Sequence, residues 1–557
     1  MGLGTVTVFD LFVTNNVQVT HGNAQQARSE SAIAANPLNP KNLIAASKKF
    51  SNPATYRFSI GLRVSFDGGE TWQDSVLPTL PEWGDFTPHN GQDVSSGMTD
   101  PAVVFDSFGN AFYVGEPIKY VANGGINTVG MFIYKSTDGG ATWGHPQPLH
   151  VGDLSDDKSW IACDNNPGSP HFGNVYVVWG ALAPLRFARS TDHGVTWKGT
   201  GASAPGSPIV SSVFAPEVTV GTDGTIHIVW YNDGEGGVTT QSTSIDYTRS
   251  TDGGETFEPE REIVSGMKGL RGSLPVINSW PVFPGANFRV ITLATGCAFH
   301  TVVQSKWFYL EHNCFIVAWS DFREGVARIY FRVSTNSGAT FNGPASGRPL
   351  VTPGSVPANL HHFHPQLVAT GKGVIGCAYY EYGPKGGKNL IDVVLTASRD
   401  HSHSFSETVT VTEQPWDPKI DAPFSHGDPK VTFIGEYFGL DADETGFDVL
   451  WTDTRTGVQE LFFDHVLAER EVRRILRVPD IVAEIVFGVA EDGGGYVIIN
   501  GHIIKVPPRG PVFEIVQALV AYDVAEKISG QTGLGLRNAA MGAIANLAKS
   551  AVKTQKM

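Results

Sequence analysis

An eight-residue pattern, S-x-D-x-G-x-T-W, recurs along this chain of 557 residues and limits what it can fold into. Its clear copies run from Ser65 to Trp72, Ser136 to Trp143, Ser190 to Trp197 and Ser250 to Phe257, with weaker ones from Ser334 to Phe341 and Ser398 to Phe405. Six spaced copies specify an array of like units rather than one mixed core. The residue types read as a hairpin turn. Asp accepts backbone amides, Gly takes positive φ, and the aromatic packs between neighbouring sheets. Each copy follows two further strand-like runs, such as Ala102 to Asp106 and Ala111 to Gly115, or Val218 to Gly221 and Ile226 to Tyr231. The 63 Gly and 34 Pro supply the turns that many short strands require. An all-β array follows.

These copies resemble the Asp box, or BNR repeat, of sialidases and related β-propellers. The resemblance implies a box joining the third and fourth strands of each blade, with a structural role. A seventh unit without a box begins near Tyr437, and its missing fourth strand is expected from the N-terminus, at Thr5 to Val13 or Val17 to Thr20. Such closure removes sheet edges. The expectation is a seven-bladed propeller over residues 1–467; counting boxes alone gives the six-bladed alternative. Residues 468–557 read as a small α+β appendage. It comprises a helical stretch from Glu469 to Arg477, a hairpin around Asn500 and Gly501, and helices at Val512 to Ile528 and Leu536 to Val552. It is expected to serve packing, oligomerisation or partner contact.

A net charge of -15 argues against a nucleic-acid partner, and no apolar run approaches a membrane span. No secretory signal is visible, which leaves the compartment open between secreted and cytoplasmic. Cys163, Cys297, Cys314 and Cys377 form no CxxC or Cys/His cluster, so zinc is not expected. Cys297 and Cys314 read as core thiols, with a disulfide as the alternative. No cofactor is expected.

Topology sorts residues onto faces. The box shares a face with the turn between strands one and two, so the opposite face gathers the starts of the inner strands around a funnel. Those starts carry Glu30, Asp100, Lys158, Ala215, His364 and Glu436, with Tyr437 adjacent. Crowded carboxylates raise one carboxyl pKa, as a general acid needs. A D-x-R-x-G pattern appears at Asp321 to Gly325 and at Asp453 to Gly457. Either each Asp and Arg brace their own hairpin, or Arg323 and Arg455 grip a substrate carboxylate. His361, His362 and His364 cluster before the sixth blade; an H-x-H set could bind metal, but no matching fixed ligand is identifiable and no metal is expected.

The resemblance implies three arginines, a Tyr nucleophile with a Glu partner, and an Asp acid/base. The nearest match to the family's F/Y-R-I-P motif is Tyr56-Arg57-Phe-Ser, without the Ile-Pro, and it carries Arg57 over as a substrate-binding residue. The expected function is a sialidase-like enzyme, hydrolase or lyase, acting on an acidic or complex glycan. Asp100, Glu30 or Glu436 would donate the proton, and Tyr437 or a second carboxylate would stabilise the oxocarbenium-like centre. Lys158, Arg323 and Arg455 would hold substrate, and His364 would be the base of a lyase. The alternative is a non-catalytic propeller that binds glycan or protein.

Overall fold

A computed structural model describes residues 6–8, 10–23, 26–78, 96–120, 126–152, 156–232, 243–304, 309–472, 474–477, 484–489, 495–499 and 502–506. The protein is all-β and forms seven blades, each built on four antiparallel strands. From the axis outward, blade 1 is Arg28–Asn36, Asn39–Asn52, Arg57–Ser65 and Gln73–Ser75. The inner strands of blades 2 to 6 are Ser96–Phe105, Trp160–Cys163, Glu217–Val220, Ala294–Gln304 and His361–Ala369. Blade 7 has Gly439–Ala442, Gly446–Asp453 and Glu460–Leu467. Inner strands of successive blades adjoin one another all the way round, and blade 7 adjoins blade 1.

The seventh blade takes its outermost strand from the N-terminus. Val17–Gln18 pairs with the Glu460–Leu467 strand, Val17 opposite Phe463 and Gln18 opposite Phe462. Of the two expected closing segments, this one completes the propeller. Val6–Val8 instead pairs with Arg470–Val472.

Each repeat is a braced turn with an outward reach. In the second copy Ser136 Oγ donates to Asp138 Oδ1 at 2.7 Å, the Thr142 amide to Oδ1 at 2.9 Å, and Thr142 Oγ1 to Oδ2 at 2.5 Å. Asn336 fills the same place in the fifth copy and still accepts the Thr340 amide at 2.9 Å. The turn then packs on the preceding blade. A side chain at Gly140 would strike Ile44 of blade 1, and one at Gly69 would strike the Phe463 ring of blade 7. Trp72 meets that same ring edge-on, with centroids 5.5 Å apart. The repeat is therefore the mortar between blades. Asp138→Ala should cost about 1–3 kcal/mol in urea unfolding and Asp138→Asn clearly less. Equal losses would mean that shape, not the acceptors, matters.

Two compact units divide the chain, residues 11–467 and residues 1–10 with 468–557. In the second unit, Glu469 to Arg477 is not helical: Arg470–Val472 and Arg474–Arg477 are strands. The latter heads a four-stranded sheet with Glu484–Val489, Gly495–Ile499 and His502–Val506, the last two pairing where a hairpin was expected. The helices expected at 512–528 and 536–552 lie outside the described residues. All four cysteines are free thiols.

Candidate functional site

One backbone device recurs where the inner strands begin. Glu30, Asp100, Lys158, Ala215 and His364 have φ of 51, 47, 54, 50 and 49°. This left-handed conformation costs a residue with a Cβ about 1–2 kcal/mol. In blades 1, 2 and 6 it coincides with a register slip against the second strand.

The first four of these residues line a cavity of about 420 Å³, with Lys48, Tyr56, Asp157, Arg271, Trp280, Arg289, His426 and Glu436 among their neighbours. Further along the axis the inner strands of all seven blades line a second cavity of about 410 Å³.

Charge in the first cavity is organised around two buried cations. Lys48 Nζ lies 2.5 Å from Glu30 Oε2 and 3.8 Å from Asp100 Oδ1. Its ammonium also sits 4.5 Å from the centre of the Phe58 ring. Burial opposes its charge, but Glu30, Tyr56 and Asp100 hold it protonated. Arg289 Nε pairs with Glu436 Oε1 at 3.0 Å, Nη1 bonds His426 Nε2 at 2.8 Å, and the guanidinium stacks 4.4 Å from the Trp280 ring.

The carboxyl groups differ sharply. Burial, joined by the charges of Asp100 and Glu436, pushes Glu30 up to about 7 against the pull of Lys48. Burial also disfavours charge on Asp100. There, however, Lys48, Lys158 and hydrogen bonds from Asp157 and Glu116 prevail, holding it well below the usual carboxylate range. Glu116 is pushed well up, by burial and then by the charge on Asp100, so it carries the proton it donates. Asp157, more open to solvent, is raised as well, by partial enclosure and then by the charge on Asp100. Ligand oxygens of Asp100, Glu116 and Asp157 lie within 4.8 Å of one another, the one grouping among the described residues with spacing to hold a cation.

Other expected site residues lie elsewhere. Tyr437 is buried beneath Lys158, whose ammonium is 3.9 Å from its ring centre, and it does not line the cavity. Burial raises its phenol far above the ordinary range. His364 is buried and likewise does not line the cavity; burial and then Arg289 lower it to about 3, so it is neutral. Arg57 stacks on Tyr120 at 3.9 Å.

Arg323 and Arg455 do not line the cavity. Arg323 pairs with Asp321 and lies over Tyr330, while Arg455 Nη2 is 2.6 Å from Asp453 Oδ2 and its guanidinium 4.4 Å from the Phe462 ring. Asp321 and Asp453 also accept from Trp319 and Trp451 at 3.1 Å. The D-x-R-x-G pattern is a hairpin brace, since the Asp two residues away is always at hand.

The histidine run disperses as well: His361 stacks on Phe283 and His362 bonds Glu381 at 3.0 Å.

No family model matches the sequence, and no curated protein matches it. Solved structures resemble it in architecture. A protein of unknown function from Dyadobacter fermentans aligns over 69% of this chain and 98% of its own, at 15% identity and a TM-score of 0.42. A leech intramolecular trans-sialidase aligns over 66% and 67%, at 12% identity and 0.39. An alpha-L-arabinanase from Penicillium chrysogenum aligns over 67% and 93%, at 13% identity and 0.35.

Sequence reasoning missed Arg289, Trp280 and His426 as members of the site. Trp280 and Arg289 belong to the long connection between blades 4 and 5, and His426 to that between blades 6 and 7. Neither connection repeats, so no pattern marked them. The visible signal was chemical: an isolated Trp and Arg in a segment without strand alternation.

Proposed function

We propose that this chain is a glycan-active enzyme, a glycoside hydrolase of sialidase-like architecture, working in the funnel on an acidic or complex glycan. The observation that carries the proposal is a pair of carboxyl groups sharing Lys48 while their proton affinities are driven apart. Such a split assigns acid and base roles. Glu30, retaining a proton near neutrality, is the donor to the leaving oxygen. Asp100, ionised throughout, stabilises the oxocarbenium-like centre or attacks it. Through Lys48 the two groups approach within roughly 6 Å, a distance in the range that paired glycosidase carboxyls use.

Arg289, Arg271 and Lys158 give the cavity the positive charge an acidic sugar would seek. Because His364 and Tyr437 lie off the cavity, the hydrolase is favoured over a lyase that would draw on either as its base.

Sugar released from sialosides and uronic-acid polysaccharides tests the reading. Glu30→Gln should lower turnover by about a hundredfold or more. Wild-type rates should fall as pH rises through about 7, where Glu30 loses its proton. Unchanged turnover in Glu30→Gln and Asp100→Asn would sink the mechanism. Binding without release by the wild type would identify a glycan-binding platform instead.

A further inference from the structure

We infer that the funnel accepts a glycoside whose leaving group is apolar, an alkyl or aryl aglycone, seated against blades 4 and 5. This rests on the funnel being the glycoside site proposed above, and it adds the class of leaving group.

The cavity has two unlike sides. Blades 1 and 2 contribute Glu30, Lys48 and Asp100. In a ring of seven, blades 4 and 5 lie across the axis from blade 1, and there the chemistry changes. Ala215 occupies in blade 4 the left-handed position that carries Glu30, Asp100 and Lys158 in blades 1 to 3. Leu293 leads into the inner strand of blade 5, and Ala215, Ile291 and Leu293 pack as one cluster with Phe214 against it. Ala181, opposite Phe214 in the sheet, extends the surface. All five line the cavity.

These five side chains carry no hydrogen-bonding group. A second sugar ring placed here would lose water from its hydroxyls and gain no partner from these five side chains, a loss that discriminates strongly. An alkyl or aryl group would bury area on both sides without that penalty. Arg289, from the same connection, does not serve the shelf, because it is turned to Glu436 and His426. A glycoside spanning the axis therefore sets its sugar beside the carboxyls and its aglycone on the shelf. The bridging oxygen is then left near Glu30.

Calorimetric titration of the full chain with methyl, butyl and hexyl glucuronides, and with the same three sialosides, tests this without requiring turnover. Affinity should rise roughly threefold per added methylene in at least one series. Leu293→Asn, and separately the neutral Ala215→Ser, should flatten that rise, with melting temperatures confirming folded variants. A flat series in the wild type for both sugars would overturn the inference. So would a slope that survives both substitutions, or a disaccharide binding tighter than the hexyl glycoside. The two proposals fail separately. A slope without cleavage of any glycoside discards the hydrolase and keeps the shelf, whereas cleavage of acidic glycans without a slope does the reverse.

Discussion

Lys48→Met should destabilise the propeller by about 3–5 kcal/mol, the usual consequence of removing one partner from a buried charge cluster. Lys48 is only 4% exposed, and its ammonium contacts both Glu30 and Asp100. Without it, Asp100 would lose the largest of the cationic influences upon it, leaving Lys158 and the more distant Arg289, and Glu30 would have to stay protonated. The double variant Lys48→Met with Glu30→Gln should recover part of the loss, because one of the stranded acids is gone. Denaturant unfolding of the two variants measures this directly. A loss below about 1 kcal/mol in the single variant would show that the carboxyls already share enough protons to need no cation.

Removing residues 1–20 should be worse still. The deletion takes away Val17–Gln18 and with it the Val19 amide bond to the Leu461 carbonyl at 2.9 Å. It also removes the Phe12–Leu467 bridge and the bond from the Thr14 amide to Asp464 at 2.9 Å. The Glu460–Leu467 strand would become an open edge, a template for pairing with other chains. Aggregation, or loss of cooperative melting, is the expected outcome. A chain of residues 11–467 should fold and melt cooperatively. A stable 21–467 and an unfolded 11–467 would show that closure depends on other contacts.

What the sequence revealed and what it hid divide along local and non-local lines. The repeat announced blade after blade because its serine, acid, glycine and threonine bond to one another within eight residues. The inner-strand starts were legible too, since they stand at a fixed place in each unit; four of them, with the later Glu436, reached one cavity. Arg323 and Arg455 went the other way: each pairs locally, with Asp321 and Asp453, and neither lines the cavity. Arg289 was invisible because its partner Glu436 lies 147 positions away, on a connection without periodicity. The stretch from Glu469 to Arg477 was misread because its charges, spaced to suit a helix, were outweighed by strand partners at Val6–Val8 and Glu484–Val489.

The joint between blades 1 and 7 also governs how the chain can be made. Gly69 and Trp72 emerge from the ribosome early, yet the Phe463 ring they pack on comes almost four hundred residues later. Val17 waits longer still for the strand it completes. At about 5–20 residues per second, that interval is on the order of tens of seconds. During it the first blade has one sheet face uncovered, and the N-terminal strand destined for blade 7 has no partner. Synthesis from the N-terminus can therefore stack blades 1 to 6 in order, but the ring locks only when its oldest and youngest segments meet. Slowed elongation between residues 72 and 460 would lengthen that exposure and raise the share of chains lost to aggregation.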